Sequence, residues 1–199
     1  SSDLAENIKK IRPETVIVLG GPEVSYDAED LLKARPQIDY VILGEGEERF
    51  GKLLKALGGK LLLASIDGIA YRNGSIIVVN PPKGYVDLNS LPFSYAGENL
   101  DNKLVYYETS RGCYFRCAFC LSSLESHVRF VDLEKVRQDF LRFAQMGVKV
   151  VKLVDRSFNC NLKRALELLE VIRELPGSTV FHCEVNPELV NEEFINGLK

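Results

Sequence analysis

A dense group of cysteines lies in the stretch TSRGCYFRCAFCLSS, which spans residues 109–123. Cys113, Cys117 and Cys120 fall within eight residues, although the whole chain has only five cysteines. A single buried cysteine packs as a small apolar residue, but packing does not explain three of them at intervals of four and three among aromatic side chains. The spacing therefore indicates a disulfide framework, a metal site or a catalytic site.

Composition argues against a disulfide framework and against several classes of partner. The cysteine count is odd, and 199 residues are enough to build a core without covalent cross-links. With 25 basic and 28 acidic side chains the net charge is -3, so bulk charge favours neither nucleic acid nor an anionic membrane as a partner. We see no leader peptide and no apolar run near the ~18 residues of a membrane span, so we expect a cytoplasmic protein.

Thiolates are soft ligands that suit zinc, copper(I), or iron with sulfide. Structural zinc usually takes four ligands in two separated pairs, whereas these cysteines form one C-x3-C-x2-C triplet. A fourth zinc ligand could come from one of four residues elsewhere in the chain, namely His127, Cys160, His182 and Cys183. The alternative to a catalytic cluster is therefore a zinc-stabilised α/β binding module with structural cysteines.

Residues 1–58 contain two repeats of an apolar run, glycines and a helix. The runs TVIVLGGP and DYVILGEGE are typical of strands buried on both faces of a parallel sheet, and we predict the carboxyl-terminal part of a doubly wound α/β domain whose other strands precede this chain. A dinucleotide site is not favoured, because Arg49 takes the third glycine position of GEGEER and glutamates crowd the phosphate position. The candidate cofactor contacts are Gly20, Gly21, Gly44, Glu45 and Gly46. The alternative is that the four glycines only form turns.

Residues 59–103 are predicted to form a hairpin and an irregular linker. Asn73-Gly74 between two β-type runs favours a type I′ turn, and a proline-rich stretch follows it. Residues 104–199 then repeat a strand and a helix three times, with strands at LVYYETS, VKVVKLVD and TVFHCEV. We predict the amino-terminal half of a parallel (β/α) barrel, in which the cysteine loop follows the first strand at its carboxyl end.

Polar residues are predicted on the inner face of this half-barrel. In VFHCEV, the period of two places Phe181 toward the helices and His182 and Glu184 toward the lumen. The same argument places Lys152 and Arg156 toward the lumen. Because barrel cores are mostly aliphatic, polar residues there suggest a ligand, although simple solvation would also account for them.

The sequence RGCYFRCAFC after a first barrel strand resembles the signature of radical S-adenosylmethionine enzymes. The resemblance implies that the three cysteines hold three irons of a 4Fe-4S cluster, whose fourth iron chelates S-adenosylmethionine. Reduction then yields a 5′-deoxyadenosyl radical that abstracts hydrogen from a small-molecule substrate, with flavodoxin or ferredoxin as electron donor. The resemblance also places the backbone of Phe119 beside the adenine and gives Gly112 the tight turn under the cluster.

The whole layout is similar to the cobalamin-binding class of this family, which includes methylases and oxidative cyclases. Gly20 and Gly21 match the glycine pair near the cobalamin tail, but no counterpart of the D-x-H-x-x-G element is present. That element either lies upstream or cobalamin is not used. The resemblance gives Arg156, Ser157 and Glu184 as candidate contacts of S-adenosylmethionine, although the usual Gly-Gly-Glu is missing from DRSFN. We expect a fragment, inactive by itself, of an enzyme for methyl transfer or cyclisation.

Overall fold

The computed structural model describes residues 2–124 and 127–199, and it divides the chain into two units, Ser1–Val86 and Asp87–Lys199. Both units are of the α/β class, as predicted. The division falls within the 59–103 segment that was predicted to be a hairpin and linker, and the hairpin of that segment is part of the first sheet. Among the described residues, no helix is both long and apolar enough to span a membrane.

The first unit is built on a four-stranded sheet of order β1-β2-β3-β4. Its strands are Val18–Leu19 (β1), Tyr40–Ile42 (β2), Ile69–Asn73 (β3) and Ile76–Asn80 (β4), and its helices are Ser2–Ile11 (α1), Pro22–Ser25 (α2), Ala28–Ala34 (α3) and Glu47–Leu57 (α4). β1 and β2 pair in parallel, and the hairpin of β3 and β4 adds antiparallel strands beside β2. Val41 in β2 is completely buried against α3, as its apolar run predicted.

The hairpin turn is not the type I′ turn that the sequence predicted. Asn73 pairs with Ile76, so the two loop residues are Gly74 and Ser75 rather than Asn73 and Gly74. Gly74 has a φ of 62°, and among the described residues only Asn102 is a non-glycine with positive φ. A positive φ at the first loop position alone is typical of type II′, which also matches the twist of the strands.

The second unit is built on a parallel three-stranded sheet of order β5-β8-β9, with a separate two-stranded ladder, β6-β7. Its strands are Leu104–Tyr107 (β5), Ser110–Arg111 (β6), Arg129–Phe130 (β7), Val150–Leu153 (β8) and Val180–His182 (β9), and its helices are Leu133–Gln145 (α5), Leu162–Arg173 (α6) and Glu192–Gly197 (α7). The alternation of strand and helix confirms the predicted β/α pattern.

One face of this sheet packs against α5 through aromatic side chains. The Phe140 ring lies 5.5 Å from that of Tyr107 and 4.6 Å from that of Phe181, centroid to centroid. Val105 and Val151 are fully buried on the same face. The predicted orientation of Phe181 toward the helices is therefore confirmed.

Helix α5 ends as its sequence predicts. Gly147 has a φ of 70°, and its amide donates to Ala144 O at 3.1 Å while the Val148 amide donates to Phe143 O at 3.1 Å. This is the hydrogen-bond pattern of a Schellman motif, and the buried Val148 and Phe143 supply its hydrophobic contact. The motif turns the chain directly into β8.

Candidate functional site

The cysteine loop leaves the sheet at the carboxyl end of β5 and returns through β7. At its base, Ser110 pairs with Phe130 and Arg111 with Arg129 in a short antiparallel ladder. Gly112 follows with a φ of 98°, and a Cβ atom there would lie 2.2 Å from His127 O. Only glycine permits this close approach of the two strands of the loop.

A buried carboxylate fixes the first strand of the loop. Asp155 lies just beyond β8 and is only 3% exposed. Its Oδ1 accepts from the Thr109 amide at 2.7 Å and the Ser110 amide at 3.0 Å, and its Oδ2 accepts from the Thr109 hydroxyl. Burial raises the pKa of Asp155, although these hydrogen bonds act in the opposite direction. The ends of β5 and β8 are thus joined through one side chain.

Arg164 reaches the same region from α6. Its Nη2 donates to Val131 O at 2.5 Å and to Thr109 O at 3.3 Å, and its guanidinium lies 4.9 Å from the centre of the Phe130 ring. Burial lowers the pKa of Arg164. Its contacts therefore include backbone on both sides of the cysteine loop.

The cysteines lie beyond this base, on the outer part of the loop. Cys117 is exposed and Cys113 and Cys120 are partly exposed, and all three are free thiols. The backbone turns through bonds from the Cys120 amide to Cys117 O and from the Ser123 amide to Cys120 O, both 3.0 Å long. The cysteine side chains are thus accessible to a ligand.

The environment of Cys120 favours its thiolate. Hydrogen bonds from the backbone and the hydroxyl of Ser122 lower the pKa of the Cys120 thiol, and the positive charge of Arg156 lowers it further. The structure therefore brings the exposed Arg156, a predicted cofactor contact, into electrostatic range of a predicted metal ligand.

The described residues contain no group of three or more His, Cys, Asp or Glu side chains arranged to hold a metal ion. A tetrahedral zinc site needs sulfur atoms that converge on one point about 2.3 Å away. An iron-sulfur cluster binds its thiolates at separate irons, so its ligands surround a larger object.

The remaining cysteines lie deeper in the second unit. Burial raises the pKa of both Cys160 and Cys183, and the negative charge of the nearby Asp155 raises both pKa values further. Cys113 also acts on Cys160 electrostatically, so these two thiols are near each other. The elevated pKa values make both residues weaker ligands at neutral pH than Cys120, whose pKa is lowered.

The other predicted contacts in the second unit differ in their accessibility. Phe119 is 94% exposed, which leaves its backbone and ring open to a ligand. Ser157 is buried and its hydroxyl donates to Asn159 Oδ1 at 3.2 Å, so it is engaged in the fold. Asn159 in turn exchanges two hydrogen bonds with the Asn186 backbone. The segment after β8 is thus a rigid turn rather than an open loop.

A row of polar side chains crosses the face of the sheet that is turned away from α5. The strand register aligns Tyr106, Lys152 and His182 on neighbouring strands. Lys152 Nζ lies 3.7 Å from Glu184 Oε1, and the Glu184 side chain is 60% exposed. The predicted polar face is therefore present, with Glu184 paired to a lysine.

The glycine loops of the first unit follow β1 and β2 side by side. Gly21 and Gly44 have φ values of 96° and 66°, so both need glycine. The Ser25 hydroxyl donates to Gly21 O at 2.7 Å and accepts from the Gly44 amide at 3.3 Å, which ties the two loops together. A Cβ atom on Gly21 would meet nothing within 4 Å, so its outer side is open.

Arg49 and Glu45 secure the second glycine loop. Arg49 is 7% exposed, and it donates to Asp67 Oδ2 and to the carbonyls of Leu43, Glu45 and Gly84. Glu45 Oε2 accepts from the Val86 amide at 2.6 Å. Arg49, which takes the third glycine position of a dinucleotide-binding motif, is therefore a residue that stabilises the fold.

Sequence reasoning missed the supporting roles of three residues, Asp155, Arg164 and Arg49. The one local signal was Asp155 itself, a lone acid directly after an apolar strand. Arg164 gave no such signal, because its partners Thr109 and Val131 lie far away in the sequence. Arg49 binds the nearby carbonyls of Leu43 and Glu45, but its charged partner Asp67 is distant in the sequence.

Two family models match the chain. Residues 1–54 match the B12 binding domain, and residues 107–199 match the radical SAM superfamily. The two matched segments lie one in each structural unit.

Two curated proteins are similar over most of the chain. An uncharacterized methyltransferase of Pyrococcus horikoshii is 30% identical over 178 residues, which are 83% of this chain and 38% of that protein. The anaerobic magnesium-protoporphyrin IX monomethyl ester cyclase of Synechocystis is 30% identical over 173 residues, 80% of this chain and 34% of that protein. The chain thus spans little more than a third of the length of these relatives.

A solved structure has the same fold. The radical S-adenosylmethionine methyltransferase TsrM from Kitasatospora setae, with cobalamin and a [4Fe-4S] cluster bound, superposes with a TM-score of 0.74 at 21% identity. The match covers 98% of this chain and 42% of that chain. At this level of identity the likeness establishes the fold alone.

Proposed function

We propose that this chain is part of a cobalamin-type radical S-adenosylmethionine enzyme, because residues 107–199 match the radical SAM superfamily and residues 1–54 match the B12 binding domain. The reaction class is methyl transfer or oxidative cyclisation of a small molecule, by analogy with the similar proteins. The reaction belongs to the whole protein, of which this chain is one part.

One observation carries the proposal: three free cysteines lie on the outer part of a loop whose base is rigid. Cys113, Cys117 and Cys120 are accessible, while the adjoining β6-β7 ladder and Asp155 fix the loop at the carboxyl end of β5. Chemistry in β/α barrels is located at this end of the strands. Three soft ligands leave one position of a four-iron cluster open for a second ligand.

The residues around the loop have separate tasks in this proposal. The three thiolates hold the cluster, and Ser122 and Arg156 favour the charged form of Cys120. Phe119 presents an exposed ring and backbone for the adenine. Ser157 and Asn159 keep the turn after β8 in shape, and Glu184 with Lys152 forms the charged rim of the inner face. When bound, the reduced cluster supplies the electron that cleaves S-adenosylmethionine to a radical able to abstract hydrogen.

Two features of the first unit support the binding of a cobalamin tail there. Gly21 and Gly44 expose backbone at the carboxyl ends of β1 and β2, where doubly wound sheets bind cofactors, and the outer side of Gly21 is open. Residues 1–54 contain no histidine, so this segment supplies no imidazole for cobalt. We therefore expect weak binding in a titration with aquacobalamin. Tight stoichiometric binding would contradict that expectation.

An electron donor is the remaining partner. Cluster reduction requires a one-electron carrier, and a small protein such as flavodoxin or ferredoxin is the class we propose. The exposure of Cys117 and Tyr114 supports an approach from solvent to the loop.

Anaerobic reconstitution tests the assignment. The chain should bind about four iron and about four sulfide and give the paramagnetic resonance signal of a reduced cluster. Replacing any one of Cys113, Cys117 or Cys120 with Ala should abolish the cluster, while the control variants Cys160→Ala and Cys183→Ala should retain it. A full cluster in Cys117→Ala, or zinc without sulfide in the wild-type protein, would overturn the proposal.

A further inference from the structure

The cysteine loop is held by two strands, which we call its legs: residues 108–112 before the cysteines and residues 128–131 after them. The ladder between the legs has two residue pairs, Ser110 with Phe130 and Arg111 with Arg129. Two-stranded ladders of this length are not stable in water by themselves. Other contacts must therefore fix the geometry of the legs.

Asp155 supplies the first of these contacts. A buried carboxylate is costly unless several donors compensate it, and here three donors from the first leg do so, two from Thr109 and one from Ser110. The side chain comes from just beyond β8, the neighbouring parallel strand, so it fixes the leg relative to the sheet. Thr109 lies only four residues before Cys113, a predicted ligand.

Arg164 supplies the second contact and acts on both legs. Its Nη2 donates to Thr109 O in the first leg and to Val131 O in the second, while Val131 also donates its amide to Thr109 O at 2.9 Å. The carboxylate thus takes amide donors and the guanidinium takes carbonyl acceptors at the same short stretch of backbone.

We propose that Asp155 and Arg164 are a pair of positioning residues that fix the legs of the cysteine loop, so that Cys113 meets the cluster in one geometry. The inference rests on the proposed function for its cluster. Neither side chain needs to touch the cluster, since both act through the backbone of Thr109.

Two variants of Asp155 separate hydrogen bonding from charge. Asp155→Ala removes every acceptor, whereas Asp155→Asn keeps an oxygen for the two amides and turns its NH2 toward the Thr109 hydroxyl, which can accept. Asp139→Ala is the matched control, because Asp139 is equally buried, accepts from the Tyr107 hydroxyl at 2.8 Å and belongs to α5. It removes a buried acid without touching the legs.

Hydrogen exchange on the protein without a cluster gives the first readout. In Asp155→Ala the amides of Thr109 and Ser110 should exchange at least about tenfold faster than in wild type, while β8 stays protected. Asp155→Asn and the Asp139→Ala control should leave these two amides close to wild type. Unchanged exchange in Asp155→Ala would overturn the proposal.

The reconstituted protein gives the second readout. Asp155→Ala should broaden or shift the resonance signal of the reduced cluster and release iron to a chelator at least about tenfold faster, with Asp155→Asn near wild type. A signal and release rate equal to those of Asp139→Ala would overturn the proposal. If wild type takes up no iron, the cluster assignment fails, and the exchange data still decide whether the pair fixes the legs.

A milder variant keeps the test decisive if Asp155→Ala does not fold. Thr109→Val removes the hydroxyl donor and keeps the side-chain shape. It should raise the hydrogen-exchange rate of the Ser110 amide several-fold. Arg164→Lys loses the forked geometry of the guanidinium, and it should raise the exchange rate of the Val131 amide by a similar factor. Wild-type exchange in both variants would overturn the proposal.

Discussion

The glycine loops of the first unit and the cysteine loop of the second are secured in different ways. In the first unit, Arg49 contacts three carbonyls and Asp67, and Ser25 binds the backbone of both loops, so side chains hold the second glycine loop and join it to the first. In the second unit, Asp155 and Arg164 hold only the base, and the cysteines lie beyond it with accessible thiols. The glycine loops, which offer backbone to a ligand, are held by side chains that bind the loop backbone itself. A loop that offers thiolates is held at its base and left open at its tip.

Among the changes proposed here, Gly112→Ala should cause the largest loss of stability. The new Cβ atom would combine positive φ with a backbone contact of 2.2 Å, so we expect a loss of roughly 4 kcal/mol in the free energy of unfolding. Urea denaturation followed by circular dichroism measures it. Gly21→Ala is the control, because it has positive φ but open space around it, and should lose about 2 kcal/mol from backbone strain alone. Equal losses would mean that close approach of the legs is not decisive.

Arg49→Met tests how strongly the glycine loops depend on one side chain. The change leaves Asp67 without its buried partner and several carbonyls without donors, and should cost about 3 kcal/mol by the same denaturation. The same substitution at the less buried Arg164 should cost about 2 kcal/mol. A larger loss at Arg164 than at Arg49 would reverse the comparison.

Thiol alkylation distinguishes the open tip of the cysteine loop from the interior. In the reduced protein without metal, Cys117 is exposed and the pKa of Cys120 is lowered, whereas burial raises the pKa of Cys160 and Cys183. Iodoacetamide should therefore modify the first two at least about tenfold faster than the last two, as followed by mass spectrometry. Comparable rates at all four thiols would show that the interior of the second unit opens readily.

The pH dependence of stability should show the smallest effect. Because burial raises the pKa of Asp155 in the folded state, the folded protein holds this proton more tightly than the unfolded chain does. The contribution of Asp155 to stability is then full below the unfolded pKa and is lost as pH rises through the folded pKa, by at most about 1.4 kcal/mol per pH unit. Urea midpoints of wild type and Asp155→Asn between about pH 3.5 and 7 measure the difference. A wild-type advantage that grows with pH would mean that the hydrogen bonds outweigh burial.

Much of the architecture could be predicted from the chain alone. The apolar runs around Val41 and Val151 predicted buried parallel strands, since burial of a strand depends on the residues of the strand itself. The hairpin was predicted from its own residues as well, because two β-type runs flank Asn73-Gly74. Its turn type was wrong because the register, which sheet pairing sets, moved the loop by one residue to Gly74 and Ser75.

The sequence by itself determined the chemistry that the protein offers: three thiolates at a fixed spacing, glycines after strands, and a period of two that separates Phe181 from His182. Only the tertiary structure decided which charged side chains form buried hydrogen bonds and ion pairs within the fold. Asp155 meets Thr109, and Arg49 meets Asp67, across long stretches of chain. Local spacing fixes backbone conformation and ligand type, because both depend on adjacent residues. The partner of a buried charge depends on which strands and helices pack together, and that is settled only when the whole chain folds.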